Sequence, residues 1–139
     1  MRITLLVLLL FLLPAYVYGE NAPQIEAIDS PWDFGQVKRG QIIEKDFLIA
    51  NRGEEPLVIE SVSSCCGYRI VNLSLWTIAP GGKSKITIYC NSKLKNPGED
   101  KKYFTIKSND PANPEFKVPV ISFIIENPLF KEQEQGRCE

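Results

Sequence analysis

The segment from Ile106 to Val120 constrains the fold of this 139-residue chain more than any other. It reads Ile-Lys-Ser-Asn-Asp-Pro-Ala-Asn-Pro-Glu-Phe-Lys-Val-Pro-Val, with a β-prone run on each side of a stretch rich in Asn, Asp and Pro. Proline breaks helices, Asn and Asp initiate turns, and β-branched and aromatic residues favour strands. The segment therefore predicts a hairpin of a β-sandwich.

The chain from Pro31 to Ile125 repeats this pattern of short β-prone runs separated by turn residues, which is typical of an all-β sandwich rather than of βαβ units. The clearest period of two lies between Lys83 and Cys90, where Ile86, Ile88 and Cys90 share one face. No stretch of ten or more residues after Gly19 keeps an apolar period of 3.6 residues. We predict an Ig-like β-sandwich of about seven strands over residues 31–125.

The sequence also predicts the surroundings of one proline and several polar residues. The run 116–125 is apolar enough to predict burial on both faces over part of its length, with Pro119 at a sheet edge or bulge because it cannot donate a backbone hydrogen bond. Asp110 is predicted to cap a turn. The lysines at positions 93, 95, 101 and 102 are predicted to be solvated.

The amino terminus predicts export. Arg2 precedes an apolar run from Ile3 to Leu13, shorter than the roughly 20 residues that span a bilayer, and Gly19 supplies the small residue of a cleavage site. We therefore assign residues 1–19 to a cleaved signal peptide, 20–30 to an N-terminal extension and 126–139 to a polar C-terminal tail. The protein is expected to be periplasmic or secreted, without membrane contact after cleavage; an uncleaved anchor is the alternative.

Charge and composition argue against several functions. Beyond residue 19 the chain has 15 basic and 17 acidic side chains, a net charge of −2, and the basic residues are scattered, so nucleic acid is not an expected partner. The chain has no histidine, which removes the commonest general base and the commonest zinc ligand. We predict no enzymatic activity, no catalytic residues and no cofactor.

The four cysteines are the main candidates for chemistry: Cys65, Cys66, Cys90 and Cys138. An even number in an exported chain favours disulfides, and a bridge from Cys90 to Cys65 or Cys66 would close a loop of about 25 residues, worth roughly 3 kcal/mol. Alternatively, Cys65 and Cys66 form an exposed thiol pair that binds Cu(I) or exchanges disulfides. The Cys-x-x-Cys redox spacing is absent, and a four-cysteine zinc site would require Cys138 to fold back onto the domain.

Four sequence islands together resemble the bacterial secreted family DUF1573. In order they are Pro31-Trp32-Asp33-Phe34-Gly35, Phe47–Gly53 with Pro56–Ile59, Ile78-Ala79-Pro80-Gly81-Gly82 and Ser108-Asn109-Asp110-Pro111. The resemblance implies an Ig-like fold distantly similar to ASH and major-sperm-protein domains, with no enzyme activity. The family's usual Ser-Cys-Gly-Cys-Thr is here Ser64-Cys65-Cys66-Gly67-Tyr68, so a role for the family's cysteine pair transfers weakly.

These observations favour a non-enzymatic exported domain that serves as a protein-interaction or structural module of the cell envelope. Its expected partner is an unidentified envelope protein, reached through sheet edges or loops. Two tryptophans and two tyrosines offer a second binding surface, for sugar or peptide, although packing and rim roles are simpler for them: Trp32, Trp76, Tyr68 and Tyr89. The alternative function is a periplasmic thiol protein that acts through Cys65 and Cys66.

Overall fold

The structure, a computed structural model, describes residues 21–129; the predicted signal peptide and Cys138 lie outside this range. The described residues form nine strands: β1 (Ile25–Ala27), β2 (Trp32–Lys38), β3 (Ile42–Asn51), β4 (Leu57–Ser63), β5 (Tyr68–Leu73), β6 (Thr77–Ile78), β7 (Lys83–Asn91), β8 (Gly98–Ser108) and β9 (Glu115–Ile125). Within residues 21–129 no helix is long and apolar enough to cross a membrane.

The strands form two sheets, which confirms the predicted all-β sandwich. One sheet has the order β1-β3-β7-β5 and the other β2-β9-β8-β4-β6. Neighbouring strands are antiparallel except β2 and β9, which are parallel. The predicted hairpin is formed by β8 and β9, whose pairing runs without interruption from Gly98 opposite Ile124 to Lys107 opposite Glu115.

Side chains that alternate inward along the strands fill the space between the sheets. Ile86, Ile88 and Cys90 of β7 are fully buried, as their shared face predicted. Trp32 is also fully buried; its ring stacks on Phe47 of the opposite sheet at 5.0 Å between centroids, and its Nε1 donates to the Ile28 carbonyl at 3.0 Å. Because the indole nitrogen has a partner, the largest side chain of the core is buried without an unsatisfied donor.

The sandwich begins earlier and contains more strands than the sequence indicated. Residues Ile25–Ala27, expected to belong to an extension, pair with β3 as β1. Residues 21–129 contain nine strands rather than about seven. The two additional strands are short: β1 has three residues and β6 has two. Elements of that length are too short to show a period of two, which explains why the sequence did not reveal them.

Strand β9 departs from its predicted burial on both faces. Val118, Val120, Ser122 and Ile124 point into the core, whereas Phe123 on the other face is 50% exposed. No third layer covers this face among residues 21–129. Pro119 lies in the inner strand β9, but the pairing with β2 starts only at Val120, so Pro119 is locally at an edge and its missing N–H leaves no gap in the ladder.

Two buried polar side chains add connections between segments beyond those of the backbone ladders. Asn51 donates from Nδ2 to the carbonyls of Glu55 and Ile78, and its Oδ1 accepts from the N–H groups of Gln24 and Gly53. Asp110 accepts from Ala112 and Asn113, which confirms its predicted turn cap. Its second oxygen accepts from Ile25 N–H at 3.0 Å, which attaches the hairpin of one sheet to β1 of the other.

Replacing Asn51 with alanine is expected to destabilise the protein by about 3 kcal/mol, because the buried backbone groups that Asn51 satisfies would lose their partners. Urea unfolding followed by circular dichroism measures the change. Asn72→Ala, at an exposed position of β5, is the matched control and should change the stability by less than about 0.5 kcal/mol. Equal effects of the two substitutions would contradict the role given to Asn51.

Candidate functional site

The turn between β4 and β5 holds the adjacent cysteines and presses against the end of β7. Cys66 and Gly67 both have left-handed backbones, with φ of 58° and 88°. A Cβ at Gly67 would lie 2.8 Å from the carbonyl oxygen of Asn91, so only glycine fits there without a shift of the backbone. This tight turn leaves the side chains of Cys65 and Cys66 exposed to solvent.

The exposed thiol of Cys66 influences that of Cys65. A hydrogen bond with the Cys66 thiol raises the pKa of Cys65, partial burial acts in the same direction, and the ammonium groups of Lys102 and Lys95 oppose it weakly. Cys65 is therefore mostly protonated at neutral pH. Since the thiolate is the nucleophile and the metal ligand, deprotonation is the step that any chemistry of this pair must first achieve.

Cys90 is separated from the pair, and the predicted bridge from Cys90 to Cys65 or Cys66 is not present. Cys65, Cys66 and Cys90 are all free thiols. In the β5–β7 pairing, Cys90 lies opposite Tyr68. Cys65 and Cys66 precede β5 and lie in the exposed turn. Burial raises the pKa of the Cys90 thiol, so this side chain is a small core residue.

A buried polar cluster lies beneath the turn; we call Tyr68, Lys95, Asp100 and Ser122 the Lys95 cluster. The Lys95 ammonium forms an ion pair with Asp100, donates to the Cys66 carbonyl at 2.9 Å and lies 3.8 Å from the centroid of the Tyr68 ring. The Tyr68 hydroxyl donates to Asp100 at 2.9 Å and lies 2.8 Å from Ser122 Oγ. Burial raises the pKa of Tyr68 far above its usual range, so it stays a phenol and a donor.

The burial of Lys95 corrects the expectation that this lysine is solvated, since only 8% of the residue is exposed. A lysine at this depth requires a counter-ion and further hydrogen bonds, and the Lys95 cluster supplies them. The partners of Lys95 come from two strands and one turn, so no local sequence pattern predicted the cluster. The segment Asn96-Pro97-Gly98, which reverses the chain between Lys95 and Asp100, was the one available signal.

A groove of about 470 Å³ opens between this turn and the loop that follows β7. Its wall contains Cys66, Lys95, Asp100 and Lys102, and the 92% exposed Leu94 belongs to its lining. Lys95 and Asp100 form an ion pair with each other in this wall. Among residues 21–129 no group of three or more His, Cys, Asp or Glu side chains could hold a metal ion.

The four aromatic residues considered as a binding surface do not lie together on the surface. Trp32 and Tyr68 are core residues, 0% and 4% exposed. Trp76 is 52% exposed, and Tyr89 is partly covered by the guanidinium of Arg69, 4.2 Å from the ring centroid. Packing therefore explains two of these residues, and no shared sugar or peptide platform forms.

Replacing Lys95 with methionine is expected to destabilise the protein by about 3 kcal/mol, because it leaves Asp100 partly buried without its main counter-ion. Adding Asp100→Asn should recover much of this loss, since the amide oxygen can still accept from Tyr68 while the charge is gone. Lys93→Met, at an exposed position nearby, is the control. Chemical unfolding of all four proteins checks the prediction, which fails if Lys95→Met costs no more than Lys93→Met.

Comparison with known proteins identifies the family and confirms the fold. A family described as "Protein of unknown function (DUF1573)" matches residues 25–119, and no curated protein matches the chain. A solved protein of unknown function from Porphyromonas gingivalis W83 is 23% identical with a TM-score of 0.64, over 78% of this chain and 50% of that one. The chain thus spans half the length of that protein.

Two further solved structures share the fold at lower identity. The secreted serine protease VesC from Vibrio cholerae is 14% identical with a TM-score of 0.57, over 74% of this chain and 23% of that one. The human ASH/PapD-like domain 7 of CEP192 is 13% identical with a TM-score of 0.54, over 76% of this chain and 88% of that one. The family match covers more than half of the sequence, and the chain therefore belongs to the DUF1573 family of proteins of unknown function.

Proposed function

We propose that this protein is an exported, non-enzymatic module of the cell envelope that binds another protein by pairing an extended segment with the outer edge of β5. The single observation that carries the proposal is that β5 is the one long sheet edge, within residues 21–129, whose outward backbone groups are left largely uncapped. The predicted signal peptide, residues 1–19, supports export. The ASH/PapD-like fold is compatible with a non-enzymatic module.

The other three sheet edges are poor templates for strand addition. β1 and β6 have three and two residues. β2 is longer, but Gly35 N–H bonds to Asp33 Oδ1, the Asp33 carbonyl accepts from Lys45 Nζ, and Lys38 N–H bonds to Gln41 Oε1. A bulge between Asp33 and Gln36 further distorts this edge. Side-chain caps of this kind protect an edge against pairing with another chain, and the caps rather than the bulge distinguish β2 from β5, which has a bulge of its own at Val71.

The edge of β5 is open in its central part. Asn91 N–H donates to the Gly67 carbonyl, so the alternation of an antiparallel pair turns the N–H and C=O of Ile70 away from β7. Beyond the bulge at Val71, Ser74 N–H donates to the Lys85 carbonyl, and the same alternation turns the groups of Leu73 outward. An extended peptide could pair with these groups and place an apolar side chain against Val71, which is 49% exposed.

The test is capture of partners from envelope extracts by the purified protein and by Val71→Lys, which places a charge at the bulge of the proposed edge. Leu48→Lys is the matched control, because Leu48 is a 37% exposed apolar residue on the inner strand β3. We expect a partner that the wild type and Leu48→Lys retain and Val71→Lys loses. Failure to recover any partner above background, or equal recovery by both variants, would contradict the proposal.

A thiol function is the second candidate, and the adjacent, exposed and hydrogen-bonded thiols of Cys65 and Cys66 favour it. Thiolates are the preferred ligands of Cu(I), and two of them suffice for a two-coordinate ion. Both thiols are exposed and Cys66 lines the groove, so the pair is also accessible to a disulfide of another protein.

Alkylation of the non-reduced protein, read by peptide mass spectrometry, should modify Cys65 and Cys66 and leave the buried Cys90 unreacted. Because Cys66 raises the pKa of Cys65, Cys66→Ala should speed the alkylation of Cys65 at slightly alkaline pH. After mild reduction, Cu(I) titration should show binding that Cys65→Ser abolishes. The thiol function is excluded if neither cysteine reacts and no Cu(I) binds.

A further inference from the structure

The outer face of β9 carries an uninterrupted apolar column. Pro119, Ile121, Phe123 and Ile125 alternate with the inward-facing residues, and Phe123 is half exposed. An apolar column on an uncovered sheet face is unusual, since antiparallel sheets that face water normally carry polar residues there. An apolar column of this kind is typical of a surface that another molecule covers.

The residues beside the column have a defined charge pattern. On β8, Lys101 lies opposite Ile121 and Glu99 opposite Phe123; both side chains are more than half exposed, and their closest charged atoms are 4.0 Å apart. On β2, Asp33 and Gln36 lie opposite the same two residues of β9. Ser122 lies midway between Ile121 and Phe123. The oppositely charged Lys101 and Glu99 therefore lie on either side of the Ser122 level.

Both patterns are symmetric about that level. Ile121 and Phe123 lie one step from Ser122 on either side, and Pro119 and Ile125 lie three steps away. Lys101 and Glu99 are placed in the same way about Asp100, the partner of Ser122 in the register. Consider a two-fold axis at this level that lies in the plane of the face and runs perpendicular to the strands. It places each apolar residue of the column in one copy against an apolar residue of the other copy. It also places Lys101 of each copy against Glu99 of the other.

The surface relief follows the same arrangement. A hollow of about 320 Å³ lies at the bulge of β2, where Gly35 contributes no side chain; its lining includes the exposed Phe123 and the partly buried Ile121. A Cβ at Gly35 would have no atom within 4 Å, so the hollow is open toward solvent. The two-fold axis brings Phe123 of one copy over Ile121 of the other, at the wall of this hollow.

From this geometry we propose that the outer face of β2, β9 and β8 is a homodimer interface, occupied by a second copy of the same chain. The axis overlaps only the seven levels from Pro119 to Ile125, because β9 ends three residues beyond Ser122. Over these levels three strands about 4.8 Å apart present roughly 350 Å² per copy, so two copies bury on the order of 700 Å². That area is below the standard size of specific interfaces, so the dimer is weak and reversible. β5 belongs to the other sheet, so its edge stays accessible in the dimer.

Sedimentation velocity over a wide concentration range, in reducing agent so that no intermolecular disulfide contributes, tests the interface with the full chain. Glu99→Lys and Lys101→Glu should each raise the dissociation constant at least tenfold, because each sets like charges against each other across the axis. The double variant Glu99→Lys with Lys101→Glu should restore it to within about threefold of the wild type. Phe123→Ser should abolish the dimer.

Matched controls separate this interface from other association. Lys107 and Glu115 form an exposed ion pair on the same two strands, far from the Ser122 level, so Lys107→Glu should leave the dissociation constant unchanged. Association through the apolar amino terminus would not respond to residues 99 and 101. A monomeric wild type at all concentrations, no effect of Phe123→Ser, or a double variant as weak as the single ones would overturn the proposal.

Discussion

Contact between aromatic rings across the sandwich is the interaction on which the rest of the structure depends. Trp32 and Phe34 of one sheet pack on Phe47 of the other, Phe34 continues to Tyr68, and Tyr68 meets Phe104. Five rings thus connect strands of both sheets in one continuous chain of contacts. Because Tyr68 is one of these rings, the core also fixes the position of the Lys95 cluster and of the turn that carries Cys65 and Cys66.

Sequence reasoning recovered the features that depend on neighbours along the chain. The period of two in β7, the Asn- and Pro-rich hairpin and the cap made by Asp110 are all local, and all are confirmed. The burial of Lys95 and the separation of Cys90 from the other cysteines depend on which strands become neighbours, and register is not written in any single strand. The exposure of Phe123 on the outer face of β9 was not predicted, for a related reason. An apolar run shows that burial is favourable but does not show which element covers it.

The polar side chains divide the surface of the sandwich into protected and available parts. Asp33, Lys45 and Gln41 occupy backbone groups of the β2 edge, and the Lys95 cluster occupies the polar groups of the groove. Within residues 21–129, the two surfaces that remain available for binding are the edge of β5 on one sheet and the apolar column of β9 on the other. The two lie on different sheets, so a partner and a second copy would not compete for the same surface.

The pairing of Tyr68 with Cys90 has a consequence for the order of events during maturation. In an oxidising compartment an unfolded chain can join its thiols in any combination, and wrong bridges must later be reshuffled. Once β5 docks on β7, the Cys90 sulfur is out of reach of any thiol partner, whereas Cys65 and Cys66 stay accessible. In the oxidising compartment that the proposed export implies, sheet assembly and thiol oxidation would compete in time, and the pairing of β5 with β7 would decide which cysteines stay accessible.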